Sequence, residues 1–205
     1  MNDTGRIAKA LADAGADIIE VGIPFSDPVA DGPTIQQSNK IALENGMNLH
    51  LLLDQVKEVR KSISIPIILM GYVNPVLQYG FENFTADATA AGVDGLIIPD
   101  LPLQEYEENY KGVLSKADIP LTFLISPTTS PERIAQIDKL SSTFIYAVSA
   151  SSTTGARNGF SADQLSYFKK LGSLKLKSPV LIGFGISDRK TFKEATDYEI
   201  GRAHV

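Results

Sequence analysis

A chain of 205 residues with 43% hydrophobic content is long enough to bury a substantial core as one domain. Its formal net charge of -5, with no Lys/Arg stripe, argues against a nucleic-acid partner, and the absence of cysteine removes disulfides and thiolate metal sites. No apolar run reaches the roughly 20 residues of a membrane helix, and no signal peptide is visible at the start, so the sequence predicts a soluble, cytoplasmic protein with no membrane partner.

The opening MNDTGRIAKALADAGAD reads as a helix. DIIEVGI (17–23) is a strand with a carboxylate inside it. PTIQQSNKIALENG (33–46) is a helix with Pro33 in its first turn and Gly46 at its C-terminal cap. Leu49, Leu52, Leu53, Val56 and Val59 repeat at helical spacing. Strand and helix then alternate: PIILMGY (66–72), FENFTADATAAG (81–92), DGLIIPD (94–100), LQEYEENYKGVLSKA (103–117), PLTFLIS (120–126), and SPERIAQIDKLS (130–141) with a serine cap. The last elements are FIYAVSA (144–150), SADQLSYFKKLG (161–172), PVLIGFG (179–185) and SDRKTFKEATD (187–197).

Six strands, each a near-continuous Val/Ile/Leu run, alternate with helices after one leading helix. This pattern predicts an α/β protein with parallel strands covered on both faces. A doubly wound sheet and a (β/α)8 TIM barrel compete. No Gly-rich dinucleotide fingerprint follows the first strand, which weakens the doubly wound reading. Polar and acidic residues crowd after the C-terminal strand ends, where barrels carry their sites, so the barrel is favoured. Only six of its eight strands are readable, and the chain is expected to be incomplete at both ends. Residues 1–197 read as one barrel-type domain and 198–205 as an atypical tail, of the kind an artefact at a gene end would leave.

The chemistry centres on EVGIPFSDPVADGP (20–33). A carboxylate at Glu20, on an apolar strand, is desolvated and suited to acid–base work; a buried ion pair is the competing account. Asp27 and Asp31 follow in a proline-stiffened loop, and Asp31 could equally cap the helix that starts at Pro33. The small residues of SASSTTGARNG (149–159) and GFGIS (183–187) suit close backbone approach to an anion, although a tight turn explains GFG as well. The two histidines, His50 on a helix and His204 in the tail, stand at no strand end, and no lysine lies within a strand. A zinc aldolase, a Ser-His-Asp triad and a Schiff-base aldolase are thereby disfavoured. What remains is carboxylate acid–base chemistry on a phosphorylated substrate.

EVGIPFSDPVADGPTIQ closely resembles the signature segment of the tryptophan synthase alpha subunit family. The resemblance continues in the family's order through LMGYVNPVLQYG (69–80), GVDGLIIPDLP (92–102), SSTTGA (151–156) and GFGIS (183–187). It implies a (β/α)8 barrel that cleaves indole-3-glycerol phosphate to indole and glyceraldehyde 3-phosphate, with no metal and no bound cofactor. It further implies a beta-subunit partner in an α2β2 complex. By motif position Glu20 resembles the catalytic acid/base and Asp31 the residue holding the indole N–H. Asp27 matches a position facing the beta subunit. Thr154, Gly155 and Ala156 match a mobile loop, with Thr154 placed to bond Asp31. Tyr146 matches a tyrosine near the catalytic glutamate, and Phe184 and Gly185 match part of the indole and phosphate pocket. The family's first strand and its Gly-Ser phosphate loop have no counterpart here. A fragment serving only as a binding partner of the beta subunit is the alternative.

Overall fold

The computed structural model describes residues 3–149, 160–183, 186, 188–197 and 202–203. The chain forms two compact units, 1–29 with 35–121, and 30–34 with 122–205.

In the first unit, three parallel strands lie in the order β1 (Ile19–Gly22), β2 (Ile67–Met70) and β3 (Gly95–Ile97). Glu20 stands opposite Ile68, and Leu69 opposite Leu96. Ile67, Leu69, Leu96 and Ile97 are completely buried, as parallel strands covered on both faces require. The helices are α1 (Thr4–Asp13), α2 (Pro33–Glu44, of which Pro33 and Thr34 group with the second unit), α3 (Leu49–Val59), α4 (Val73–Tyr79) and α5 (Phe81–Ala91). All five periodic apolar positions of α3 are buried, and Asn48 caps it by accepting from the Leu51 N–H. Pro33 is the first helical residue of α2, where its missing N–H costs nothing. Helix α5 ends on Gly92, whose φ of 86° disfavours any side chain; a Cβ there would also press on Arg60, whose Nε donates to the Gly92 carbonyl at 2.6 Å.

Two local features go beyond the sequence expectations. Helix α4 was not anticipated, because it is only 7 residues long and contains Pro75. Pro75 is third in the helix, where no intrahelical donor is lost. The stretch expected as one helix over 103–117 is broken into α6 (Leu103–Glu105), a π-helical turn at Tyr106–Tyr110 and α7 (Lys111–Lys116). Such turns widen a helix locally to suit packing; here Tyr106 is buried and Tyr110 stacks on Phe81 with centroids 4.2 Å apart.

In the second unit, β4 (Leu121–Ile125, of which Leu121 groups with the first unit), β5 (Ile145–Val148), β6 (Val180–Gly183) and β7 (Arg202–Ala203) are parallel and adjacent in that order. Their helices are α8 (Pro131–Leu140), α9 (Ala162–Ser173) and α10 (Arg189–Thr196). Ser130 caps α8, and α9 opens on a reciprocal capping box between Ser161 and Gln164. Asp188 and Thr191 form the equivalent box for α10. Strand β7 lies in the atypical 198–205 segment, with Arg202 opposite Leu181 and Ala203 opposite Ile182. No helix among the described residues is long and apolar enough to cross a membrane.

Candidate active site

Glu20 is the second of the 4 residues of β1 and is half-buried. On the opposite face of the chain, Ile19 and Ile23 are buried and Val21 between them is half-buried. Strand residues 19–22 and one face of α1, including Thr4, Ile7 and Leu11, line a cavity of about 330 Å³ that Glu20 borders.

The loop after β1 is tied to the ends of the next strands. The Ile23 N–H donates to the Met70 carbonyl at 2.7 Å, and the Gly71 N–H to the Ile97 carbonyl at 3.0 Å. Gly71 sits so close to Ile23 that a Cβ would come 2.5 Å from the Ile23 Cβ. Phe25 stacks on Tyr72 with centroids 5.1 Å apart, and the Val73 N–H donates to Asp100 Oδ1 at 2.9 Å. Asp100, one of the polar residues at strand ends, is thus engaged in holding the backbone that starts α4. Asp27 is exposed, and its carboxylate accepts from the adjacent Ser26 hydroxyl. Val29, two residues on, is 83% exposed.

Asp31 is half-buried and groups with the second unit. In that unit Tyr146, on β5, is buried to 1% exposure. Its phenol ring lies over Gly183, the last residue of β6, so closely that a Cβ on Gly183 would overlap the ring and its hydroxyl. The first glycine of GFG therefore serves side-chain packing. The Ser149 N–H donates to the Gly183 carbonyl at 3.2 Å, and Gln164 Nε2 donates to the Ser149 carbonyl at 3.0 Å. These bonds anchor both strand ends from which the candidate loops depart. Thr154, Gly155, Ala156, Phe184 and Gly185 lie outside the described residues.

The structure therefore brings Tyr146 onto Gly183, Glu20 to a cavity wall and Asp27 to the surface. Sequence reasoning missed Asn39, which reaches back from α2 to the loop, and the close approach of Gly71. A glycine at a strand end flanked by bulky residues was the available signal for the second; nothing in the spacing marked the first.

The model of the family "Tryptophan synthase alpha chain" matches residues 1–202. The chain belongs to the tryptophan synthase alpha chain family. The Flavobacterium psychrophilum tryptophan synthase alpha chain is 52% identical over 201 residues, which is 98% of this chain and 79% of that relative. The Parabacteroides distasonis protein of the same name is 51% identical over 98% of this chain and 78% of its own length. Among solved structures, the tryptophan synthase subunit of the hyperthermophile Pyrococcus furiosus superposes with a TM-score of 0.86 at 36% identity. That match covers 98% of this chain and 79% of the other. A mutant alpha-subunit from the same organism gives 0.87, covering 99% and 80%. These matches bear out the α/β fold of the (β/α)8 TIM-barrel type, and they give a tryptophan synthase alpha chain its role as a lyase in tryptophan biosynthesis. A match over nearly the whole chain does not favour a mere binding fragment.

Proposed function

We propose that this chain cleaves indole-3-glycerol phosphate to indole and glyceraldehyde 3-phosphate by a retro-aldol reaction. The observation that carries the reading is Glu20, a carboxylate held within an apolar strand immediately before an acidic loop. Glu20 protonates indole C3 and takes the proton of the glycerol hydroxyl next to the breaking C–C bond. The hydroxyl oxygen becomes the aldehyde carbonyl, and the bonding pair returns to the indole ring once C3 has been protonated. Glu20 is half-buried, so its carboxylate stays within reach of a substrate at the strand end. Asp31 accepts the indole N–H and stabilises the positive indolenine. By motif position we assign Tyr146, Thr154, Gly155, Phe184 and Gly185 to substrate binding, with Thr154 as the partner of Asp31. Indole then passes to a beta subunit in an α2β2 complex, with Asp27 on the surface facing that partner. The exposure of Asp27 and Val29 supports this last role. We place the reaction in the cytoplasm, consistent with a chain that contains no cysteine.

The test is indole release from indole-3-glycerol phosphate, with and without excess beta subunit. Release that rises with the partner is expected. Glu20→Gln is expected to abolish it with the circular dichroism unchanged, and preserved turnover would remove Glu20 as the acid/base.

A further inference from the structure

We infer that Asn39 is a positioning residue for the acidic loop, holding the backbone at Phe25 so that the residues beyond it keep their places. The inference rests on the lyase reading above for its consequence, but its geometry is independent of that reading. The backbone ladder of β1 ends at Ile23, whose N–H donates to the Met70 carbonyl at 2.7 Å. Pro24 has no N–H, so the next donor along the chain is Phe25. That donor is met by the side chain of Asn39, whose Oδ1 accepts the Phe25 N–H at 3.1 Å. Asn39 lies on α2, the helix that follows the loop, so the bond closes the loop across 14 positions of sequence.

The orientation of the amide is set by its second bond. Asn39 Nδ2 donates to the Ile35 carbonyl at 3.2 Å, one turn back along α2. Rotating the amide by half a turn would set two donors together at Phe25 and two acceptors together at Ile35. Only asparagine, with one acceptor and one donor on a short stem, satisfies both. The Phe25 ring, meanwhile, stacks on Tyr72 at 5.1 Å. Backbone and side chain of one residue are thus both fixed, two positions before Asp27 and six before Asp31. Losing the acceptor leaves a partly buried N–H unpaired and frees the loop at its first hinge.

The experiment compares Asn39→Leu, which removes both bonds, with Asn39→Asp, which keeps an acceptor oxygen, in the full chain with excess beta subunit. It reads kcat and KM for indole release from indole-3-glycerol phosphate, and amide hydrogen exchange at Phe25. For Asn39→Leu, kcat is expected to fall about tenfold or more, with KM changed less than about threefold, and Phe25 to exchange about tenfold faster. Asn39→Asp keeps the acceptor for the Phe25 N–H but sets its second oxygen against the Ile35 carbonyl, so it is expected to restore Phe25 protection and kcat in part. The inference is overturned if Asn39→Leu leaves Phe25 protection unchanged, or if protection is lost while kcat stays within about twofold. It is also overturned if both variants lose activity in step with their folded fraction, which marks a purely structural residue. If the unaltered chain releases no indole, the lyase reading fails, and Phe25 exchange alone decides whether Asn39 holds the loop.

Discussion

Most aspartates around the strands fasten backbone, Asp100 beyond β3 among them, but Asp27 in the loop after β1 does not. At the N-terminal ends they are consumed by backbone. Asp94 accepts the Ile67 N–H at 2.7 Å as β2 begins and pairs with Arg60, which also donates to the Ile65 carbonyl at 2.7 Å. In the second unit, Asp138 accepts the N–H groups of Lys177 and Ser178 at 3.0 and 2.9 Å just before β6. Beyond the C-terminal end of β1, Asp27 stands exposed against its neighbour Ser26, in a loop whose backbone is held by other groups. A carboxylate that fastens the chain is not available for other work, whereas a loop fastened by an amide and close packing leaves Asp27 exposed.

The largest expected effect lies on the chemical side of this comparison. Glu20→Gln is expected to lower indole release by about a thousandfold or more with unchanged unfolding, because the proposed acid/base is removed without changing side-chain volume. A fall in stability of the same variant would move Glu20 to the fastening class and break the contrast.

Next in size is Gly183→Ala. The added methyl overlaps the Tyr146 phenol, and forcing an extra carbon into a packed site is expected to cost about 1–3 kcal/mol. Urea unfolding reads the loss, and a double-mutant cycle with Tyr146→Ala should recover about 0.5–3 kcal/mol of it as coupling. Additivity of the two changes would show that the ring simply moves aside.

Asp138→Asn tests the fastening side, with an expected loss of about 1 kcal/mol as one charge-assisted bond is weakened. Burial pushes the Asp138 carboxyl upward, but the N–H groups of Lys177 and Ser178, the Ser178 hydroxyl and the Lys177 charge outweigh it, leaving the value below the ordinary 3.8. A depressed folded-state value means that the contribution is complete above pH 3.8 and is lost as pH falls through the lowered folded value. Acid unfolding of Asp138→Asn should therefore be less steep than that of the unaltered chain in this window; identical acid limbs would contradict the fastening role.

The smallest effect is expected at Tyr79, at the end of α4 and away from both groups. Its hydroxyl donates to Asp87 Oδ2 at 2.5 Å and lies 2.9 Å from His50 Nδ1. The bond to Asp87, then burial and the charges of Asp87 and Asp54, push its ionisation up to about 12 from 10.0. This raised value stabilises the fold below pH 10 and the contribution is lost as pH climbs from 10 towards about 12. Phenolate absorbance should show Tyr79 among the tyrosines that titrate late, with the buried Tyr106 and Tyr167, and Asp87→Asn should bring one of them down. Tyr79→Phe should cost under about 1 kcal/mol, since the group is exposed to solvent screening.

The alternating elements were legible because burial on both faces forces strands to be apolar runs, and because proline, glycine and serine mark helix ends by backbone geometry. Pro33, Ser130 and the five apolar positions of α3 all do in the structure what their spacing predicted. Helix α4 was hidden by Pro75, and the π turn by a sequence whose periodicity is helical throughout. Strand β7 was hidden because it is only 2 residues long and carries no apolar run; its pairing is with the backbone of β6, which no side-chain pattern records.

By itself, the sequence determined the α/β class, the family and the concentration of acidic groups after the first strand, since these follow from residue type and short-range spacing. Tertiary structure decided which neighbours those groups meet. That Gly183 makes room for Tyr146, that Gly71 lets Ile23 close in and that Asn39 closes the loop on Phe25 all depend on atoms brought together from distant positions. Contacts of that kind depend on the packing of the whole unit, so no local stretch of sequence encodes them.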